Sequence, residues 1–398
     1  MNICVAHRML VLAAILTAAP VVIALYAYVG YPLILWIVGS VRPKESSARD
    51  SAEWPSVTIT VPVYNAVTSI RATLESLLAL DYPRDRLQML VISDASSDGT
   101  DDVVRNFSDR GVELLRLADR RGKTAAENAA LAASRGQILV NVDSTIIVPS
   151  ESLKRLVRVF DDPSIGVASG RDVSVGDPAG SGTFAESRYV GYEMWVRDLE
   201  TQVGSIVGAS GCFYGSRRYV HGRPLPVGLS WDFAAALVAR MQGYRSVSVP
   251  SAVCLVPRSS HVRTELRRKA RTMARGLNTL FYHRALMNPL RYGGFAFILV
   301  SHKLLRWLPY LLAPIAYAAL SVLALESIVA RVILGIASAG ILAGLVGINR
   351  PRLVQAKSLA FAGFVLAVFS AGFLAWLTVF RQTQMATWEP TPRPEAQT

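Results

Sequence analysis

The chain has 398 residues, 52% of them hydrophobic, a net charge of +13 and a mean hydropathy of +0.33. That is too apolar for an ordinary soluble enzyme and too polar for a protein made only of spans, so a mixed membrane and water-facing architecture is expected. Cys4, Cys212 and Cys254 are odd in number and lack CxxC spacing, which points away from a disulfide framework or a zinc site and fits a reducing compartment.

The first element is an apolar run from Met9 to Val38. A spanning helix needs about 20 apolar residues to cross ~30 Å of hydrocarbon. The run far exceeds the ~7–15 residues of a signal-peptide core and no small-residue cleavage site follows it. It therefore reads as a retained anchor over residues 1–41.

Residues 56–143 then alternate strand and helix signals. SVTITVPVY is β-branched without helical period and reads as a buried parallel strand. A helix is expected over Val67 to Leu80, where Ile70, Leu74, Leu77 and Leu78 form one stripe. LQMLVISD, a helix capped near Thr100, a strand at VELLRL, a helix from Lys123 to Ser134 and the strand ILVNVD follow. This βαβαβαβ order implies a mostly parallel, Rossmann-like sheet with ligands at the carboxyl ends of its strands. Polar residues gather at those ends: Val63, Tyr64 and Asn65; Asp94, with Asp98 just beyond; and Asp143. Asp98 also suits Asp-Gly turn chemistry, but clusters at three strand ends argue for one shared pocket.

Farther along, SWDF precedes a helix with Phe233, Leu237 and Met241 on one face, so Asp232 sits at a helix N-terminus, where an aspartate can serve as a cap. From Arg258 to Arg291 the chain carries nine Lys or Arg against a single acid, Glu265. Such a cluster next to spans suits anionic lipid. Without interleaved aromatic residues it does not suggest nucleic acid as a partner.

Three further apolar runs follow: Leu304 to Leu325, Ile328 to Ile348 and Leu359 to Phe380. Arg42 and Lys44 after the first run, and Arg350, Arg352 and Lys357 between the last two, place the central domain and the 349–357 loop in the cytoplasm by the positive-inside rule. Residues 42–291 are expected to form the cytoplasmic domain, 292–381 an interfacial helix and about three spans, and 382–398 a polar tail.

VPVYN, SDASSDGT, RRGKTAAENAAL, the strand-end Asp143, GYEMWVRDLE, VGASGCFYGSRR, SWDF and RRKARTMARG resemble, in order and spacing, the membrane-bound family 2 glycosyltransferases of GT-A fold. These include synthases of cellulose, hyaluronan and poly-N-acetylglucosamine. The resemblance covers roughly residues 30–320 and implies a donor half at 54–150 and an acceptor half at 151–291. It implies a plasma-membrane enzyme of cell-surface or exopolysaccharide synthesis, one that transfers a hexosyl or N-acetylhexosaminyl group with inversion. The donor would be a UDP-sugar, the acceptor a glycan or a lipid-linked molecule, and a homo-oligomer or a synthase partner is compatible with it.

By the same resemblance, Val63, Tyr64, Asn65 and Asp94 would hold uracil and ribose, and Lys123 the nucleotide or pyrophosphate. Asp143 would bind ribose and a Mg²⁺ or Mn²⁺ ion, Asp232 would be the general base, and Arg268 and Arg271 would clamp the pyrophosphate. Tyr192, Glu193, Ser210 and Gly211 would face the acceptor, and His261 is a possible additional metal ligand. The chain departs from the pattern at Thr145, in place of the second acid of DxD, at Trp231, and at Thr272, in place of the Trp of QxxRW. These departures also fit a catalytically weak relative that acts as a binding or scaffold subunit.

Overall fold

The computed structural model describes residues 3–42, 53–175, 181–257, 262–349 and 357–381. His261, the 350–356 loop and the 382–398 tail lie outside the described residues, as does the side chain of Arg268.

The amino-terminal helix α1 (Ile3–Leu25) carries Pro20 and passes through a π-helical turn, Tyr26–Gly30, into α2 (Tyr31–Ser40). The α/β domain follows with β1 (Val57–Val63), α3 (Ile70–Leu78), β2 (Leu87–Ser93), α4 (Thr100–Arg105), β3 (Val112–Arg116), α5 (Lys123–Ala133) and β4 (Ile138–Val142). Each strand foreseen from the sequence is present. The first helix begins at Ile70 rather than Val67, because Asp98 accepts the Val67 amide at 3.1 Å and holds that segment in a loop.

The second half contributes α6 (Ser152–Arg158), β5 (Ile165–Val175), α7 (Ser181–Val203), β6 (Phe213–Arg217), α8 (Trp231–Met241), β7 (Arg245–Pro257) and α9 (Val262–Tyr282). The short α10 (Pro289–Tyr292) leads to α11 (Gly294–Leu299), a π turn at Val300–Leu304, α12 (Leu305–Glu326), α13 (Ile328–Asn349) and α14 (Lys357–Phe380).

The strands form one seven-stranded sheet in the order β3-β2-β1-β4-β6-β5-β7. β3, β2, β1 and β4 are mutually parallel, as the βαβ pattern requires. β6 runs antiparallel to both β4 and β5. It delivers the chain back to the end of β4, so that the Asp143 amide bonds the Cys212 carbonyl at 3.0 Å. β1 is buried along its whole length and shares its core with α3 and α6 through Ile59, Leu74, Leu77 and Leu156.

Among the described residues, four segments are long and apolar enough to cross a membrane: His7–Ser40, Gly294–Glu326, Ile328–Asn349 and Phe361–Phe380. Their outward side chains include Val21, Ile336 and Phe361, each about 60% exposed or more, as lipid-facing residues are. A separate core of Tyr31, Leu35, Val196, Phe233, Leu280 and Leu299 joins α2 and α11 to α7, α8 and α9. The two π turns face each other, with Tyr26 Oη 2.9 Å from Ser301 Oγ.

Candidate active site

A cavity of about 1050 Å³ opens at the carboxyl ends of β1 and β4 and is closed on the other side by α7, α8, α9 and the membrane helices. Asn65, Lys123, Asp143, Glu193, Gly211, Asp232 and Arg271 all line it. They come from sequence positions up to two hundred residues apart, and the switch from parallel β4 to antiparallel β6 brings them together.

The floor is set by the strand-end loops. Asn65 is in the left-handed region, φ 46°, which asparagine tolerates better than most residues. Its Oδ1 accepts the Ser97 amide at 2.8 Å, and its own amide donates to Ser96 Oγ at 3.2 Å. The ends of β1 and β2 are thus clasped together. Asp98 ties the same turn to the Val67 and Thr100 amides, and these hydrogen bonds outweigh burial and hold its carboxyl below the usual range. Asp94 is buried, and its two oxygens accept the Arg121 and Gly122 amides at 2.7 and 2.8 Å. It fixes the loop that delivers Lys123 and lies behind the cavity wall rather than in it.

Lys123, at the start of α5, donates to Asp143 Oδ1 at 2.5 Å and to the Gly211 carbonyl at 3.3 Å. Burial alone would lower its pKa. Asp143, Glu127 and Asp232 outweigh burial and hold the ammonium above its ordinary value. Glu127, one turn along α5, is 3% exposed, with Oε1 3.9 Å from Lys123 Nζ and Oε2 without a hydrogen-bond partner. Burial pushes its carboxyl up to about 8, only partly countered by Lys123 and Arg275. The sequence reading missed Glu127; its signal was a lone acid on the otherwise small, apolar face of TAAENAA.

Asp232 lies in the first turn of α8, but Ser230 holds the N-cap position. The carboxylate accepts the Ser230 hydroxyl at 2.6 Å rather than an amide of its helix. Its Oδ2 reaches the cavity beside Gly211, where a Cβ would stand 3.0 Å away. Trp231 is buried, donates its indole N–H to Asn128 at 3.2 Å and stacks 4.1 Å from His221. The unusual residue before Asp232 therefore anchors α8 to α5.

Arg271 lines the cavity and Arg268 lies one turn earlier on α9, its side chain outside the described set. Arg275 is not at a membrane surface, as its place in the basic cluster suggested. It is buried, donates to the Leu229 carbonyl at 2.6 Å and to Thr124, and lines the cavity.

The other expected residues divide. Glu193 faces the cavity and accepts from Arg306 at 2.7 Å and from His302 Nε2 at 2.9 Å, with Lys303 at 3.5 Å. Burial would raise its carboxyl, but His302, Lys303 and Arg306 hold it well below the usual range. His302 Nδ1 in turn contacts the buried Glu200, which also accepts the Tyr31 hydroxyl at 2.6 Å. Tyr192 points away, donating to the Tyr28 carbonyl at 2.8 Å. Ser210 is buried and donates to Asp172 at 2.5 Å, so it braces the Gly211 loop from behind. Val63 is a buried strand residue whose carbonyl accepts the Asp94 amide at 2.8 Å, and Tyr64 packs under the Arg120 guanidinium at 3.9 Å.

No cluster of three His, Cys, Asp or Glu side chains suited to a metal occurs among the described residues. A Mg²⁺ or Mn²⁺ ion does not require one, since such ions bind through one or two carboxylates, water and substrate phosphates. Asp143, a hard carboxylate facing the cavity, fits that donor set, with Thr145 beside it.

The sheet order and the strand-end cavity define a GT-A-like α/β domain. Residues 58–220 match the family Glycosyl transferase family 2, and the chain carries a domain of that family. Among curated relatives, an N-acetylglucosaminyltransferase of Rhizobium sp. is 30% identical over 39% of this chain and 36% of its own length. The poly-beta-1,6-N-acetyl-D-glucosamine synthase of Staphylococcus aureus is 24% identical over 57% of this chain and 60% of its own. The matches span 30% to 48% of the length of four curated relatives. Among solved structures, a mannosyltransferase from Pyrobaculum calidifontis in complex with GDP-Man and Mn²⁺ aligns with a TM-score of 0.71. It is 23% identical and the alignment covers 94% of this chain and 99% of that one.

Proposed function

We propose that this protein is a membrane-embedded inverting glycosyltransferase that moves a hexosyl or N-acetylhexosaminyl group from a cytoplasmic UDP-sugar to a glycan or lipid-linked acceptor. The observation that carries the reading is the convergence of Asp143, Lys123 and Asp232 on one cavity that Arg271 and Arg275 also line. Asp143 and a divalent cation would hold the diphosphate, with Lys123 and Arg271 neutralising charge as UDP departs. Asp232, its Oδ1 held by Ser230, would take the proton of the attacking hydroxyl. Curated relatives of both N-acetylglucosaminyl-transfer and poly-N-acetylglucosamine-synthase name support a role in cell-surface polysaccharide synthesis. The domain division at 42–291, and the placing of that domain in the cytoplasm of a plasma-membrane protein, belong to this proposal.

The test is release of UDP by the purified full chain in detergent, with Mg²⁺ or Mn²⁺ and a panel of UDP-sugars. Turnover with at least one donor is expected. Tight UDP binding with no turnover under any condition would instead identify a scaffold subunit.

A further inference from the structure

The cavity does not stop at the α/β domain. Its second end is walled by Tyr28, Trp307, Tyr310, Phe364, Val368 and Ala371, all from segments long and apolar enough to cross a membrane. We propose that the acceptor is a membrane lipid bearing a free headgroup hydroxyl, which reaches Asp232 from the bilayer through this apolar end. The inference rests on the glycosyl-transfer reading above.

The chemistry of the wall selects the occupant. Phe364, Val368 and Ala371 offer no hydrogen bond. A glycan chain lying against them would leave hydroxyls unpaired, whereas an acyl chain passing there from the bilayer exchanges one apolar environment for another and leaves no polar group unpaired. α14 is held close enough to form this wall by small residues: a Cβ on Gly372 would fall 2.4 Å from the Tyr310 ring, and Ala371 and Ala375 are each 1% exposed. The Trp376 indole N–H bonds the Trp307 carbonyl at 2.9 Å and fixes the crossing of α14 and α12.

Between the apolar and catalytic ends stands a polar collar. Arg306 is 3% exposed within an apolar segment, paired with Glu193 at 2.7 Å and flanked by the Tyr28 and Tyr192 rings at 5.2 and 5.3 Å. Ionisable groups at such a depth are costly and persist where they serve a function. Here the collar, with Lys303 beside Glu193, lies where the headgroup of a lipid whose tail occupies the apolar end would rest. The headgroup oxygen then attacks the anomeric carbon. The new C–O bond forms as the bond to the β-phosphate oxygen breaks, UDP leaves with that electron pair, and the hydroxyl proton passes to Asp232.

The test supplies the purified full chain with UDP-sugars and three acceptor arms: phosphatidylcholine vesicles carrying diacylglycerol, a β-glucoside series from methyl to decyl, and soluble chito-oligosaccharides. Labelled product in the organic phase is expected, with a KM that falls at least about tenfold from hexyl to decyl glucoside. Val368→Trp, which fills the wall, is expected to weaken transfer to decyl glucoside at least tenfold, and a retained rise of Tm with UDP shows that the variant is folded. Val368→Ala, which enlarges the wall, is expected to move the preferred chain length upward. Transfer confined to soluble sugars, or independent of alkyl length, overturns the lipid acceptor while leaving glycosyl transfer standing. Absence of UDP release in every arm overturns both.

Discussion

Lys123 Nζ stands 2.5 Å from Asp143 Oδ1, so the carboxylate best suited to a divalent cation is already paired with an ammonium. On the proposed reading, a divalent cation would be held by Asp143 and the donor's diphosphate would take over Lys123. Asp143→Ala is expected to weaken UDP binding in Mn²⁺ at least about tenfold, the loss of one charge-assisted contact. EDTA is expected to produce the same loss in the unmodified chain and little further loss in the variant, by titration calorimetry.

Asp232→Asn keeps the side-chain shape and the Ser230 contact but removes the base. Its kcat should fall about 10²–10⁴-fold, with UDP affinity nearly unchanged. An unaltered kcat would reduce Asp232 to a structural residue.

Gly211 is a position where size matters more than backbone freedom, because an added Cβ would sit 3.0 Å from Asp232 Oδ2. Gly211→Ala is expected to lower kcat by displacing that carboxylate, by less than Asp232→Asn does, since small misplacements can still cost up to about 10²-fold. UDP binding should again persist.

Glu127 is expected to make donor binding and stability depend on pH. With its carboxyl raised to about 8 from an ordinary 4.5, the folded chain holds a proton that the unfolded chain has lost, so this group's contribution to stability declines as pH rises between those values. Above pH 8 its negative charge joins Asp143 and Asp232. UDP affinity is expected to drop there in the unmodified chain and to stay flat in Glu127→Gln. Equal pH profiles would show that titration of Glu127 does not govern UDP binding.

Glu193 and Arg306 are a buried pair at 2.7 Å. Removing one partner strands the other, at about 3–5 kcal/mol. Glu193→Gln and Arg306→Met should each lower Tm in detergent. The double variant should be less destabilised than the sum of the two, which a thermal double-mutant cycle reads directly.

The local order of the domain was legible in the chain, because strand and helix signals depend on neighbours. The β-branched run at 57–63, the Lys123 helix start and the apolar membrane runs all announce themselves by period or length. The strand-end rule also located Asp143 and Asn65, since a parallel sheet exposes its ligand groups at carboxyl ends. Asp232 was located as a helix-terminal acid. That Ser230 stands at the N-cap position and gives its hydroxyl to Asp232 rather than leaving Asp232 to cap the helix, however, is a matter of side-chain direction.

What only the tertiary structure decided are the relations between distant segments. The antiparallel insertion of β6 sets Gly211 beside Asp232 and turns Ser210 away. The buried position of Arg275 has no local signal, because a charge in a helix looks the same whether it faces water or a closed cavity. The meeting of Glu193 with Arg306, 113 residues later, needs α7 and α12 to be packed together. By itself the sequence determined a sheet with polar residues gathered at its strand ends and flanking spans, since hydrophobic period and strand-end chemistry are short-range properties. Only packing could decide that this site is walled in part by the membrane helices, because a cavity wall is made by whichever surfaces the folded chain brings face to face.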